Sequence, residues 1–152
     1  MTSTTAPPAA ALRAAGLRVT SPRLAVLDTL ERHPHVEAAE VVHLTRARHQ
    51  GVSVQGVYDV LAALTAARLV RRIEPAHAVA RYELDRGDNH HHVVCRDCDV
   101  LVDVPCPVGS APCLDPAGAQ SLGFTVDEAE VIYWGRCPQC QNTTDSTTKE
   151  KP

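Results

Sequence analysis

Six cysteines occur in 152 residues, and four of them form two close pairs, Cys95-Arg96-Asp97-Cys98 and Cys137-Pro138-Gln139-Cys140. Each CxxC turn presents two sulfurs to one ion, and four thiolates suit the tetrahedral preference of Zn²⁺. The pattern predicts one structural zinc on Cys95, Cys98, Cys137 and Cys140. The gap between the pairs exceeds that of a minimal zinc ribbon, but intervening strands can close it. The competing reading is two unrelated redox or free-thiol pairs. A thioredoxin-like motif needs one CxxC opening a helix after a strand, which two pairs fit poorly. Cys106 and Cys113 lie outside the pairs and read as ordinary thiols with at most a minor redox role.

Asn89-His90-His91-His92 stands just ahead of Cys95. On a strand, side chains alternate, so His90 and His92 share one face and His91 points to the other. Two imidazoles at i and i+2 are half of a metal site. Glu83 and Asp103 are carboxylates on flanking segments that could complete it. Mixed nitrogen and oxygen donors favour Fe(II), Mn(II), Zn(II) or Ni(II). The competing reading is a solvated His-rich turn. A hydrolase built on this cluster would need an open coordination position, a general base and a substrate cleft. Nothing between residues 85 and 140 suggests a cleft.

These groups need elements to hold them. Ala9 to Ala15 reads as a short helix stopped by Gly16. In VTSPRLAVLDTLERHP, Thr20 or Ser21 can cap, Pro22 suits the first turn, and Leu24, Leu27 and Leu30 recur at helical spacing. Pro34 ends that helix. A third covers about Glu37 to His49, with Val41 and Leu44 inward and Gly51 as its stop. Ser53 caps a fourth, running to Ala67, whose Val57, Val60, Leu61 and Leu64 form one apolar face. Leu69 to Glu74 and Val79 to Leu84 then read as a β-hairpin around Pro75-Ala76-His77-Ala78. Helices followed by a two-stranded hairpin is the order of a winged helix-turn-helix, in which the helix before the hairpin enters the major groove. A small helical domain without a DNA role has the same pattern. Beyond the polar stretch 85–89, short strands are expected at His92–Cys95, Val100–Val104 and within Phe124–Trp134. A loop and a short helix are expected between 105 and 118. That half, of roughly 55 residues, is too small to be stable without a staple.

The expected architecture is therefore α+β. Its parts are a tail at 1–8, a winged-helix domain at 9–84, a hinge at 85–89, a zinc-stapled α/β domain at 90–141 and a tail at 142–152. Residues 1–86 hold eleven Arg and no Lys against eight acids, a net of +3. Residues 87–152 hold four basic residues against ten acids, a net of -6. A nucleic-acid surface therefore belongs to the first half. No apolar run is long enough to span a membrane, and MTSTTAPPAA lacks the basic start and apolar stretch of a secretion signal. A reducing cytoplasm is the expected location, where cysteines serve metal or redox chemistry rather than disulfides.

Taken together, GLRVTSPRLAVLDTL, HVEAAEVV, SVQGVYDVLAALTAARLV, RYEL, HHHVVCRDC and WGRCPQC make residues 9–140 similar to the ferric uptake regulator (Fur) family. The resemblance implies a homodimeric repressor of operator DNA, each subunit having a winged-helix domain and an α/β dimerisation domain. It implies one structural zinc per subunit and one regulatory Fe²⁺ or Mn²⁺ per subunit. The regulatory ligands would be His35, Glu83, His90, His92 and Asp103, drawn from both halves and their junction. DNA-facing positions carried over are Ser53, Gln55 and Tyr58, with Arg18 and Arg23 on phosphates. His33, His43, His49 and His77 match no family ligand and are expected at the surface.

Three departures narrow the reading. Asp59 stands where many members have Arg, and a carboxylate cannot bond a phosphate as that Arg would. Many iron-sensing members carry a further site, using an acid within HHDH and a His in the GHC segment. Here His91 and Arg136 occupy those positions, and a guanidinium cannot ligate, so that site is expected to be absent. The regulatory carboxylate is Asp103 rather than Glu, which resembles the peroxide-sensing branch. The WGRCPQC ending and short 105–118 stretch are similar to catalase-linked actinobacterial members. The implied function is peroxide sensing with control of catalase and oxidative-stress genes; the alternative is a metal-uptake regulator for iron, zinc or nickel.

Overall fold

A computed structural model describes residues 7–76, 78–110 and 113–145. The chain divides into two compact units between Gly87 and Asp88, within the irregular stretch 85–89. Among the described residues no helix is long and apolar enough to cross a membrane.

The first unit has four helices and a three-stranded antiparallel sheet. Helix α1 (Pro8–Ala14) opens on proline, whose missing N–H costs nothing in a first turn. It ends where Gly16 takes φ +72° and the Leu17 N–H turns back to the Leu12 carbonyl at 2.8 Å. Helix α2 (Ser21–Arg32) follows. The expected side-chain cap is not made there, because the Thr20 hydroxyl accepts no bond from the first turn.

Helix α3 (Ala38–Arg48) buries Val41, Val42 and Thr45. Leu44, expected inward, is only half-buried. Thr45 takes the inner position because its hydroxyl meets that of Thr29 at 2.9 Å. The Thr29 hydroxyl in turn donates to the Ala25 carbonyl at 2.9 Å, so Thr45 is the donor between the two threonines.

Helix α4 (Val54–Ala66) buries Val57, Val60, Leu61 and Leu64. These join Leu12, Val26, Leu30 and Val41 in the main core. Burying each such side chain contributes roughly 1.5–3 kcal/mol before conformational entropy is charged against it.

Strands β1 (Val36–Glu37), β2 (Val70–Ile73) and β3 (Arg81–Leu84) lie in the order β1-β3-β2. The hairpin is thus a three-stranded sheet, since Val36 pairs with Tyr82 and Glu37 with Arg81. Strand β3 starts at Arg81 rather than Val79, which is 60% exposed. His77, between β2 and β3, lies outside the described residues.

The second unit is a sheet of β4 (His90–Cys95), β5 (Leu101–Pro105) and β6 (Ile132–Gly135), ordered β5-β4-β6. Strand β4 runs antiparallel to β5 and parallel to β6. Two short helices, α5 (Ala117–Gln120) and α6 (Pro138–Asp145), complete it. Among the described residues its buried apolar side chains are few: Val94, Cys95 and Leu101. So small a core cannot offset chain entropy alone.

The expected tails need correction. Pro8 already belongs to α1, and α6 carries the chain through 142–145. That last helix grows from the second cysteine knuckle, with the Gln141 N–H bonded to the Cys137 carbonyl at 3.0 Å. Residues 1–6 and 146–152 lie outside the described residues.

Candidate metal centres and nucleic-acid face

The two CxxC turns converge within the second unit. Strand β4 delivers Cys95 and β6 leads into Cys137. The first knuckle is closed by Asp99, whose φ of +58° lets its N–H reach the Cys95 carbonyl at 3.0 Å. Four sulfurs lie within 4.8 Å of one another, and Cys98 Sγ stands 3.7 Å from Cys137 Sγ. A tetrahedral ion with Zn–S bonds of ~2.3 Å separates its sulfurs by about 3.8 Å, so the spacing fits zinc.

The protonation chemistry agrees. Backbone N–H groups, Cys137's first and then Asp97's, lower the Cys95 thiol to about 6. Crowding by Cys137 and then Cys98 pushes Cys140 up to about 12. Four thiolates so placed need a cation to ionise together. Asp97 and Arg136, one from each knuckle, form an ion pair. The Arg136 guanidinium also donates to the Cys140 carbonyl at 3.2 Å. It joins the knuckles without being a ligand.

On one face of the second unit's sheet, His92 is directly across from Asp103. Asp103 Oδ1 is 3.5 Å from His92 Nε2 and 3.6 Å from His90 Nε2. The two imidazoles meet edge to face, with centroids 4.9 Å apart. His92 is buried and Asp103 half-open. Two nitrogens and one carboxylate oxygen therefore face one point, a mixed donor set suited to Fe(II), Mn(II) or Zn(II).

The first unit holds a histidine–carboxylate pair. His35 Nε2 and Glu83 Oε2 are 2.8 Å apart, both largely buried. His35 has φ +60°, a left-handed conformation that His tolerates better than most residues. Its N–H is held by the Tyr82 carbonyl at 2.9 Å. The β2–β3 register sets Arg71 across from Glu83, and Arg71 Nη1 reaches Glu83 Oε1 at 3.3 Å. This arginine went unnoticed in the sequence, although its strand position was legible.

Helix α4 presents Gln55, Tyr58 and Asp59 outward. Tyr58 is 42% exposed, so it is no core residue. Ser53 caps the helix, its Oγ accepting from the Gly56 N–H at 3.0 Å. A Cβ at position 56 would lie 2.9 Å from that oxygen, which explains the glycine. Gln55 Nε2 donates to Asp59 Oδ1 at 2.8 Å, so the acid at 59 orients Gln55. Arg18 is exposed. Arg23 donates to the Arg18 carbonyl at 2.6 Å and thereby fixes the chain's entry into α2.

One cluster was not foreseen. His91, Cys106 and Cys113 come together with their ligand atoms within 4.8 Å. Strand alternation turned His91 away from its neighbours, but no periodicity locates cysteines in a Pro/Gly-rich loop.

Comparison with known proteins places this geometry in context. The sequence profile of the ferric uptake regulator family matches residues 14–108. The transcriptional regulator FurA of Mycobacterium tuberculosis is 57% identical over 129 residues, covering 85% of this chain and 86% of that protein. Ferric uptake regulation protein 1 of Mycolicibacterium fortuitum is 58% identical over 123 residues, covering 81% and 75%. Among solved structures, the ferric uptake regulator from Pseudomonas aeruginosa with manganese superposes with a TM-score of 0.65 at 26% identity, covering 86% of this chain and 98% of that one.

Proposed function

The chain belongs to the ferric uptake regulator family of transcription regulators, and on that premise we propose that it is a homodimeric, metal-dependent repressor whose signal is hydrogen peroxide. Members of this family are regulators rather than enzymes. Residues 9–84 bind double-stranded operator DNA and residues 90–141 dimerise. One structural Zn²⁺ per subunit sits on Cys95, Cys98, Cys137 and Cys140. One regulatory Fe²⁺ or Mn²⁺ per subunit is held by His35, Glu83, His90, His92 and Asp103.

The observation that carries this reading is the pair of imidazole Nε2 atoms within 3.6 Å of one Asp103 oxygen. Such a set ligates a divalent ion without any thiol. Because the proposed ligands come from both units, an ion with differential affinity for their arrangements shifts the population toward one. Ser53, Gln55 and Tyr58 on α4 meet the operator, with Arg18 and Arg23 on phosphates. Homodimerisation is supported by the outer face of the second unit's sheet, where Val102 is 49% and Tyr133 47% exposed.

Peroxide is favoured as the signal because the carboxylate is Asp103 rather than Glu. Bound Fe(II) would relay electrons from imidazole to peroxide: the ring of His35 or His90 loses two electrons and gains one oxygen, the other peroxide oxygen leaves as water, and the oxidised ring is a poorer ligand. Catalase and oxidative-stress genes are the corresponding targets. A metal-uptake regulator is the second reading, favoured by the name of the 58%-identical relative.

A gel shift on the DNA upstream of the protein's own gene tests the proposal. Retardation should require Mn(II) or anaerobic Fe(II) and vanish with chelator. Retardation indifferent to metal sinks the regulatory site, and none under any condition sinks the repressor reading.

A further inference from the structure

The face of the second unit's sheet opposite His90 and His92 carries His91. In the β4–β5 register His91 lies across from Val104. Cys106, two residues beyond Val104, therefore falls on His91's face just past the strand end. Cys113 lies at the same place, with its Sγ 3.3 Å from His91 Nε2. The two sulfurs and the imidazole nitrogen all lie within 4.8 Å of one another.

His91 is only 3% exposed, with Tyr133 packed edge-on at 6.2 Å. Its Nδ1 has no hydrogen-bond partner among the described residues, and its Nε2 meets a thiol, a weak partner. A buried imidazole so poorly satisfied loses its hydration without replacement. Coordination through Nε2 would give that nitrogen a stronger partner than the thiol. The Cys106 thiol is held ready by other donors. Asn89 Nδ2 reaches Cys106 Sγ at 3.3 Å and the Gly109 N–H reaches it at 3.4 Å. Such donors stabilise a thiolate.

We propose that His91, Cys106 and Cys113 form a further cation site for a thiophilic d¹⁰ ion of the Zn²⁺ class. Two thiolates and one imidazole are soft and borderline donors, which select such an ion over Mn(II) or Mg(II). Three protein ligands leave a fourth position of the tetrahedron for water. Cys106 and Cys113 are partly exposed, so an ion can reach the site. The site is chemically separate from the proposed regulatory one, which has no sulfur and uses the other sheet face. Zinc would tie Cys106 and Cys113 to His91 on β4.

The test uses the full chain, purified oxygen-free under reducing conditions and dialysed against buffered Zn²⁺. Wild type should bind one zinc more per chain than either Cys106→Ser or Cys113→Ser, with circular dichroism unchanged. Asp103→Asn, on the other face, should leave this uptake intact, so loss of the regulatory ion is read separately. Iodoacetamide labelling with peptide mass spectrometry checks the unmutated protein. Zn²⁺ should protect Cys106 and Cys113 together. Equal zinc counts in wild type and variants, or labelling indifferent to Zn²⁺, overturns the site. A Cys106–Cys113 disulfide forming on removal of reductant, without prior zinc protection, assigns the pair to redox chemistry and likewise overturns it.

Discussion

His35 and Glu83, 48 residues apart in the chain, bring Nε2 and Oε2 to 2.8 Å. The contact depends on backbone as much as side chain. His35, in the turn between α2 and β1, takes a left-handed conformation, and its N–H is tied to the Tyr82 carbonyl beside Glu83. Arg71 takes the other Glu83 oxygen, so the buried carboxylate is compensated on both sides.

Glu83→Gln keeps the shape and removes the charge. Arg71 then faces a neutral amide oxygen in place of a carboxylate, at a cost of roughly 1–2 kcal/mol, since the arginine is partly exposed. Urea unfolding should show that loss. Gel shifts with Mn(II) should show a larger one, the metal response disappearing although the protein remains folded.

Removing the thiol at Cys95 should abolish zinc binding and unfold the second unit. Few apolar residues are buried there, and structural zinc in small domains supplies about 10–16 kcal/mol of folding energy. Metal analysis and limited proteolysis of Cys95→Ser are the measurements. A zinc-free variant with wild-type protease resistance contradicts the assignment.

Tyr58→Ala should weaken operator binding about tenfold, a loss of roughly 1.4 kcal/mol, while both metals and the melting temperature stay unchanged. Tyr58 is on the outer face of α4, so truncation leaves no cavity. Titrations at rising salt should show affinity falling for wild type and variant alike, because phosphate contacts release counterions.

The buried threonines offer an asymmetric pair of mutations. Thr29→Val strands the Thr45 hydroxyl without its acceptor and should cost about 1–3 kcal/mol. Thr45→Val should cost less, because Thr29 keeps its bond to the Ala25 carbonyl. The double variant should recover most of the Thr29→Val loss. Three thermal melts decide the order.

Peroxide added to Fe(II)-loaded protein should add one oxygen to the peptide holding His35 or His90 and release DNA. Mn(II)-loaded protein should do neither. Peptide mass spectrometry beside a gel shift reads both. Release that follows cysteine oxidation instead would favour the metal-uptake reading.

How far the sequence reaches can be judged residue by residue. The apolar period of α4, its Ser53 cap and the paired cysteines were legible because each is a local pattern: a helix repeat, a three-residue reach, a two-residue turn. The alternation that separates His91 from His90 and His92 was legible for the same reason. Strand β1 was not, since two residues carry no period and Val36–Glu37 is a strand only through pairing with Arg81 and Tyr82. Thr45 displaced Leu44 from the inner face of α3 because a hydroxyl on another helix was waiting for it. Arg71 reaches Glu83 through strand register, and Cys113 meets His91 from 22 residues along the chain. Residue types and short spacings determined which chemistry this chain could carry. Only the tertiary structure decided which donors meet, because separations of tens of residues are closed by packing and pairing that no local pattern encodes.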